Sequence, residues 1–434
     1  MAAKRWVSRY HASWYSPAAP ERISLPGIQA KRGDAMTVSQ QPPMHARDVP
    51  NFIPESPYKR EMNRRFRDEI LDLRRQVMDM HRTGHEPICS TQILGEARDL
   101  MNYTNNSDAV RARLDDLRAT LRQPNQDYAY EQSADDGSWG GCCKAWYLRL
   151  DASIDPLKEL VETGRRPQHP LRFFAPVDTP DKLRRYLESL LISDVKATGI
   201  DNRKELNYAI TSLAQILFKP KVAALLPAGT PVTDLAATLQ DFLDNRAQNP
   251  QTGFWGAWYM TDGELKKTND LSITFHAISY RSDDPPHMRE LADTLFAMRA
   301  SRYPYGWRDQ GKQNNHHAYD VARLLRRAWP YMTTDQQARA TAELTVMVAR
   351  SLSISIGSDG RFDDEPYTSP AEAYYFGVSF LDEVGYFRAS RRFWTPLEAS
   401  DADSLRAVLL QQLQKMDQRN AVVSAALRKL TATD

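Results

Sequence analysis

The sequence has few cysteines and no long apolar run. Its three cysteines, Cys89, Cys142 and Cys143, do not make a disulfide framework. The adjacent pair can bridge only with a distorted backbone. No stretch reaches the roughly 18 apolar residues of a membrane span, so we expect no transmembrane segment. The N-terminus also lacks the apolar core of an ordinary secretory signal. These absences predict reduced thiols and a cytoplasmic protein.

The sequence also lacks an excess of charge of either sign. Lys and Arg total 57 and Asp and Glu total 55, so the net charge is +2. This balance gives no electrostatic reason to expect nucleic acid as a partner. Hydrophobic residues make up 41% of the chain, which is enough for a sizeable core. Long β-branched alternation is missing, and apolar residues recur with a helical period instead, which predicts an all-α fold.

Composition divides the chain into three regions. Residues 1–56 are rich in Pro, Ser, Gln and Arg without a sustained period, which predicts an irregular N-terminal arm. Residues 57–124 contain two helical patterns, at Tyr58–His81 and at Ser107–Arg122. We expect these N-terminal helices to pack on the domain that residues 125–434 form.

The third region contains a repeated turn with glycine and aromatic residues. Such turns lie around Gly137, Gly253, Gly306 and Gly360, and a weaker member without an aromatic residue lies at Gly199. The five glycines are 62, 54, 53 and 54 residues apart by subtraction. An apolar helical segment follows each turn, and a second helix leads to the next one. A period of this length fits one helical hairpin per repeat. Because the turns all precede the same helix of each pair, we predict an α/α toroid of antiparallel helical hairpins, with an open solenoid as the alternative.

One of these helices begins with four hydrogen-bonding side chains in succession, Asn314, Asn315, His316 and His317. Asn is a favoured N-cap, so capping explains one of the two amides. Two amides and two imidazoles exceed what a cap requires. The cluster therefore indicates a functional role, with capping and packing as the structural alternative.

A second candidate segment lies about one repeat later. Tyr374 and Tyr375 occur early in the next helix of the same kind, and Arg361 lies in the turn before it. In a ring, equivalent helix ends of adjacent hairpins are neighbours. We therefore expect Asn315, His316 and one of the two tyrosines to converge on one cleft.

Aromatic residues concentrate at the repeated turns. Their flat faces can stack on sugar rings or shelter carbocations, and packing between repeats is the structural alternative. The predicted substrate-binding residues are Asn314, Trp255, Trp258, Tyr305, Trp307 and Arg308.

A metal site is not expected. His81, His85 and Cys89 have a ligand-like spacing, but Gly84 indicates that the helix ends between them. No further ligand lies near His316 at a suitable spacing. We therefore predict neither a metal nor another cofactor.

The turns resemble those of the terpenoid cyclase and protein prenyltransferase superfamily. DDGSWGG at 135–141 is similar to its QW-type turn, and TGFWG at 252–256 is a looser match. The acid motif DxDD and the zinc-binding DxC of that superfamily are missing. This resemblance therefore implies a toroid fold more than a chemistry.

Residues 250–390 resemble a second toroid superfamily, the alginate and chondroitin-type polysaccharide lyases. Asn315–His316 match the Asn–His pair of these lyases, and Tyr374 or Tyr375 matches their catalytic Tyr. Arg361 matches their Arg, although here it precedes the helix of the Tyr. The resemblance implies that Asn and His stabilise the charge that develops at a uronate carboxylate. Tyr and His would then move the proton.

The leading hypothesis from the sequence is a carbohydrate-active enzyme that performs lyase-type β-elimination on an acidic polysaccharide or oligosaccharide. Two alternatives stay open. One is a cyclase of the terpenoid or prenyl type. The other is a non-catalytic binding or assembly protein that docks a protein partner through residues 1–56.

Overall fold

The chain is mostly helical, which confirms the all-α prediction. A computed structural model describes residues 51–85, 87–123, 128–307, 314–367, 369–418 and 420–432. Within these ranges there are seventeen α-helices and one small three-stranded sheet. The helices are α1 Lys59–Arg82, α2 Ile88–Tyr103, α3 Ser107–Arg122, α4 Trp146–Ala152, α5 Ile154–Glu162, α6 Pro180–Leu191, α7 Val195–Thr198, α8 Arg203–Leu217, α9 Pro220–Ala223, α10 Val232–Asp241, α11 Leu271–Ser279, α12 Met288–Ala297, α13 Asn315–Ala328, α14 Thr334–Arg350, α15 Pro370–Glu383, α16 Ala402–Gln414 and α17 Ala421–Thr431.

Six helices form the centre of the fold, and we call them the inner row: α4, α8, α11, α13, α15 and α17. Each packs beside the next in that order. Residues of α8, α11 and α15 are buried on nearly every side, which is typical of helices inside a large core. The remaining large helices of the third region pack outside this row, as α10 does against α8 and α12 against α13. One continuous hydrophobic core extends from Tyr58 to Leu430.

Helices α1 and α3 have the predicted positions, whereas α2, which lies between them, was not predicted. The buried stripe of α1 includes Phe66, Ile70, Leu73 and Val77, as its period indicates. Residues 1–50 of the predicted arm lie outside the described residues. Residues 51–56 have no helix or strand but contact the body, and the Phe52 ring lies 5.8 Å from that of Tyr259.

Residues 51–123, which we call the cover, lie over the N-terminal ends of the inner row. The carboxylate of Glu96 in α2 accepts a hydrogen bond from the backbone N–H of Ala145 at 2.8 Å, directly before α4. Asp99, also in α2, pairs with Lys204 at 3.2 Å in the first turn of α8. Helix α2 therefore bridges two inner helices and closes the space between their N-terminal ends.

The same cover reaches the last repeats of the chain. Arg74 of α1 donates a hydrogen bond to the carbonyl of Glu365 at 2.8 Å, in the turn before α15. Asn51 donates to the carbonyl of Tyr305 and accepts from the N–H of Asn269, at 2.5 and 3.2 Å. The cover therefore contacts two of the repeated turns, the one around Gly306 and the one before α15.

Two of the repeated turns share one hydrogen-bonding pattern. The side chain of Gln132 donates to the carbonyl of Gly137 at 2.9 Å, and that of Gln248 donates to the carbonyl of Gly253 at 3.1 Å. Both glycines have positive φ, 73° and 69°. A Cβ at Gly253 would lie 2.4 Å from the carbonyl oxygen of His287, so the close approach of the next segment also requires glycine.

A buried indole recurs after two of the turns. The Nε1–H of Trp255 donates to the carbonyl of Leu243 at 2.7 Å, and that of Trp307 donates to the carbonyl of Leu295 at 2.8 Å. Both rings have no exposed surface. Each indole therefore ties its turn to the end of the preceding outer helix.

The sheet is a surface feature that the sequence analysis did not predict. It consists of β1 Ile192–Ser193, β2 Trp258–Thr261 and β3 Glu264–Lys267. Strand β1 pairs parallel to β2, and β2 and β3 form an antiparallel hairpin. Asp262 and Gly263 make the turn with positive φ, and an Asp–Gly pair is a common hairpin signal.

The prediction of reduced thiols differs from the structure. Cys89, in the first turn of α2, forms a disulfide with Cys142, and their Cα atoms lie 5.4 Å apart. Cys143 is buried and takes no part in the disulfide, and its thiol lies 3.7 Å from the side-chain oxygen of Gln92. Cys89 and Cys142 lie 53 residues apart, so spacing alone did not indicate that the cover and the turn before α4 bring them together.

We expect Cys142→Ser to lower the free energy of unfolding by about 2–4 kcal/mol, because it releases the covalent link that restricts the unfolded chain. Denaturant titration without reductant measures this loss. Cys143→Ser keeps the bridge and is the matched control. An equal loss in both variants, or three reactive thiols in the oxidised, denatured wild-type chain, would contradict the disulfide.

We expect Trp255→Phe and Trp307→Phe each to cost about 1–3 kcal/mol of stability, because each leaves one buried carbonyl without its donor. Thermal or denaturant unfolding measures both. Trp258→Phe, at a partly exposed position in β2, is the control and should change stability by only about 0.5 kcal/mol. Similar losses of stability at all three positions would show that the hydrogen bonds of the two buried indoles do not contribute more than an exposed tryptophan does.

Candidate functional site

The Asn–His cluster lies under the cover and forms part of the core. The Asn314 side chain accepts a hydrogen bond from the N–H of His317 at 2.9 Å and caps α13. The N–H of Asn315 donates to the hydroxyl of Tyr367 at 3.2 Å. Asn314 is therefore a helix cap, which was the structural alternative, and Asn315 is buried.

His316 is enclosed on several sides. Its Nε2 lies 3.4 Å from the hydroxyl of Tyr303 and 3.6 Å from a carboxylate oxygen of Asp320. Its ring lies 4.2 Å from that of Phe376. Burial lowers the pKa of His316 to about 3 and raises the pKa of Asp320 well above its ordinary value. His317 stacks on Tyr303 with ring centres 4.0 Å apart. Burial lowers the pKa of His317 as well, so both imidazoles are neutral at ordinary pH.

Tyr374 and Arg361 do not join this cluster. The Tyr374 hydroxyl donates to the carbonyl of Gly360 at 3.2 Å, in the turn of its own repeat. The Arg361 side chain is 74% exposed and pairs with Asp359 at 3.2 Å. The position of Arg361 in the turn before α15 therefore puts it on the surface, away from the expected cleft.

The predicted stacking residues are also placed elsewhere. Trp255 and Trp307 are fully buried in the turns, so neither ring offers a face to a ligand. Trp258 lies in β2 under Lys267, whose Nζ is 4.1 Å from the ring centre. Tyr305 lies beneath the cover, and its carbonyl binds the side chain of Asn51. Arg308 lies outside the described residues.

A pocket of about 240 Å³ lies further along the inner row, past the ends that α2 covers. We call it the inner pocket. Of the predicted site residues, Tyr375 alone lines it. The lining residues are Lys158, Gln215, Lys219, Phe275, His276, Ser279, Tyr280, Tyr319, Arg323, Tyr375 and Phe376.

Basic groups and one amide lie on opposite sides of the inner pocket. Lys158 of α5 donates to the side-chain oxygen of Gln215 in α8 at 2.6 Å. Arg323 of α13 lies across the pocket, and Lys219 is exposed just after α8. Lys429 adds a cation 5.8 Å from the centre of the Tyr319 ring. Lys158 also pairs with Asp155 at 3.4 Å, so Arg323 and Lys219 are the cations of the lining that most favour an anionic ligand.

The guanidinium of Arg323 is held by a buried carboxylate. Glu383 accepts from Arg323 at 3.2 Å and from Arg326 at 2.6 Å, and it also pairs with Arg391 at 2.9 Å. Burial opposes ionisation of Glu383, but the three guanidinium groups outweigh it and keep the pKa of Glu383 below its ordinary value. One negative charge is therefore shared by three cations.

Groups that can move a proton lie between these cations. His276 and Tyr280 are one helical turn apart in sequence, and their rings stack 5.7 Å apart. The Tyr319 ring packs edge-on against Phe275 at 5.3 Å. Burial, with the nearby Tyr375 and Glu383, raises the pKa of Tyr319 well above its ordinary value. Tyr319 therefore keeps its proton at neutral pH.

Most of the residues that line this pocket were not predicted from the sequence. Two i,i+4 pairs point to it, His276–Tyr280 on α11 and Tyr319–Arg323 on α13. Polar and aromatic pairs on otherwise apolar helices are the available signal, and Tyr375 on α15 is the one member that the repeat spacing found.

A larger surface cavity of about 640 Å³ lies between the α2–α3 junction and α7. Its lining includes Asn105, Thr198 and Ile200, and Lys196 is its one charged member.

In the described ranges, no group of three or more His, Cys, Asp or Glu residues is placed to hold a metal. No helix of the described chain is long and apolar enough to cross a membrane. The inner pocket is the stronger candidate site, because its lining has several charged and proton-transfer groups and that of the larger cavity has one charged residue.

Comparisons of this chain with protein-family models, with curated proteins and with solved structures found no match.

Proposed function

We propose that the inner row closes on itself as an α/α toroid, with the inner pocket at its centre. Two observations support a curved row. Helix α2 contacts the N-terminal ends of α4 and α8, while α1 of the same cover contacts the turn before α15. In addition, a pocket of about 240 Å³ is lined from five helices, α5, α8, α11, α13 and α15. A flat row could not surround so small a volume.

We propose further that the protein is a carbohydrate-active enzyme that performs lyase-type β-elimination on a uronate saccharide. The single observation that carries this proposal is the composition of the inner pocket. Cations from Lys158 and Arg323 lie in the same small volume as His276, Tyr319 and Tyr375. Elimination next to a carboxylate needs both a cationic clamp and proton-transfer groups.

In this proposal the basic groups bind the uronate carboxylate. Arg323, held by Glu383, can present two N–H donors to the two oxygens of a carboxylate. Lys158 and the Gln215 amide approach from the opposite wall. These contacts strengthen when charge from C5 delocalises onto the carboxylate, so they stabilise the transition state more than the bound substrate.

The proton transfers are assigned to the imidazole and the phenols. His276 accepts the C5 proton, and the electron pair of the C5–H bond forms the C4–C5 double bond. The C4–O bond to the preceding sugar breaks, and Tyr319 or Tyr375 returns a proton to the leaving oxygen. Water is not consumed, so the product lacks one water relative to the product of hydrolysis. Tyr319 is protonated at neutral pH, as a proton donor must be, although its raised pKa makes it a weaker acid than an ordinary tyrosine.

The disulfide supports a substrate outside the cytoplasm. Disulfides such as Cys89–Cys142 persist in oxidising compartments and are rare in compartments that keep thiols reduced. Acidic polysaccharides are found in such places. This replaces the expectation of a cytoplasmic protein with a proposal of an exported one.

The electrostatics of the inner pocket disfavour the cyclase alternative. Its rings, such as Phe275 and Phe376, could shelter a carbocation. Lys158, Lys219 and Arg323 would repel that cation at close range in a poorly solvated site. Within the residues that the structure describes, no specific contact favours the binding-protein alternative, although the cover lies over one end of the inner row.

We expect Tyr375→Phe and His276→Ala to reduce elimination by a factor of about 100 or more, the usual contribution of a general acid or base. Uronate oligosaccharides from alginate, pectate and glycosaminoglycans are incubated with the protein, and mass spectrometry detects products that lack one water. Tyr374→Phe is the matched control. Its hydroxyl binds the Gly360 carbonyl outside the pocket, so the variant should keep its activity.

Two outcomes would contradict the proposal. One is the absence of elimination products from every uronate with the unaltered protein. The other is equal loss in Tyr374→Phe and Tyr375→Phe without a change in unfolding temperature, because the pocket would then have no special role.

A further inference from the structure

The inner pocket is closed at the end that faces the cover. Phe376 forms its inner wall, and the His316 ring packs behind Phe376 at 4.2 Å. Behind these lie His317 and Tyr303, which stack at 4.0 Å, and all four side chains are buried. Further in the same direction, Asp99 of α2 pairs with Lys204. A saccharide chain has no passage through this packed layer.

The opposite end of the pocket is open to solvent. Lys219, which follows α8, is exposed, and Ser279 and Tyr280 at the end of α11 are partly exposed. Arg323 is partly exposed as well. Lys158 and Tyr319 are also partly exposed, and among the described lining residues the most exposed is Lys219, after the C-terminal end of α8, so a ligand enters from that side.

The volume limits how much of a chain can enter. At about 240 Å³ the pocket is smaller than the roughly 300–1,000 Å³ of pockets for drug-sized ligands. One sugar ring with its carboxylate fits this space, and a second ring does not. The sugar that enters is thus a terminal one.

We propose that the inner pocket takes the reducing-end uronate of a saccharide, so that the protein is an exolyase that releases one unsaturated monosaccharide from that end. This inference rests on the proposed elimination. The ring that loses its C5 proton must lie in the pocket beside His276 and Arg323. Its C4–O bond leads to the rest of the chain, which must leave through the open end. Its C1 then points at the closed wall near Phe376, where no further sugar can be attached.

The bonds balance without any co-reactant. The terminal uronate loses its C5 proton and its C4–O bond and gains the C4–C5 double bond. The remaining chain keeps the glycosidic oxygen, receives a proton on it and thereby gains a new reducing end, which can enter in the next cycle.

Early products from a uronate hexasaccharide test this direction. Mass spectrometry with the full-length protein should find an unsaturated monosaccharide and a saturated pentasaccharide. Unsaturated disaccharides to tetrasaccharides would indicate internal cleavage and overturn the proposal. A saturated monosaccharide with an unsaturated pentasaccharide would indicate entry of the other end and would also overturn it.

A blocked substrate gives a second, independent measurement. The same hexasaccharide with a bulky aromatic amine attached at its reducing end should be cleaved at least tenfold more slowly, because the closed wall cannot accept the tag. Equal rates for tagged and free substrate would overturn the exolytic proposal while leaving elimination intact. Failure of elimination itself is recognised separately, since no product lacking one water would then form from either substrate.

Discussion

The structure depends on how the buried N-terminal ends of the inner helices find acceptors. The first N–H groups of a helix have no partner within it. At α4 the carboxylate of Glu96 accepts the N–H of Ala145, and Arg113 holds that carboxylate at 2.7 Å. At α11 the carboxylate of Asp270 accepts an N–H of the first turn and pairs with Arg203 at 2.6 Å. A carboxylate suits both positions, since it accepts the bonds and offsets the positive end of the helix dipole.

This constraint also decides where a ligand can bind. Glu96 and Asp99 both come from α2. Glu96 satisfies the end of α4 and Asp99 pairs with the Lys204 side chain in the first turn of α8, so the two contacts together lay a helix over both ends. The pairs are buried, and removal of one partner from a buried ion pair costs about 3–5 kcal/mol, so the cover is not easily lifted. The open space that remains lies deeper along the same helices, where Tyr319 and Tyr375 line the inner pocket. The contacts of α2 thus close the N-terminal end of the inner row and leave the inner pocket toward its other end.

The sequence predicted the helices well and the site poorly, for physical reasons. Local periodicity was enough for α1, and α3 spans Ser107–Arg122 as predicted, because one buried stripe determines each of these helices. The Gly–aromatic spacing indicated the hairpins, since close backbone approach at Gly253 requires glycine. The same turns misled the search for a site. Asn314 caps a helix and Trp255 packs in a turn. Asn and Trp also occur in ligand-binding sites, so residue type alone did not distinguish the two roles. Which end is closed depends on pairs between distant parts of the chain, as between Asp99 and Lys204, and local patterns do not reveal these.

The charge around the inner pocket gives the last reason to expect an anionic ligand. Buried carboxylates and guanidinium groups normally balance, because an uncompensated buried charge is costly. Beside the pocket, Glu383 is shared by Arg323, Arg326 and Arg391. The neighbouring Asp382 pairs with Arg388 at 2.5 Å and with Arg391 at 3.3 Å. These two carboxylates face four guanidinium groups, while on the opposite side Lys158 pairs with Asp155 at 3.4 Å and Lys219 is exposed. The protein's own groups leave a positive excess here, and Arg323, which lines the pocket, is where an incoming carboxylate would neutralise it at the least cost in desolvation.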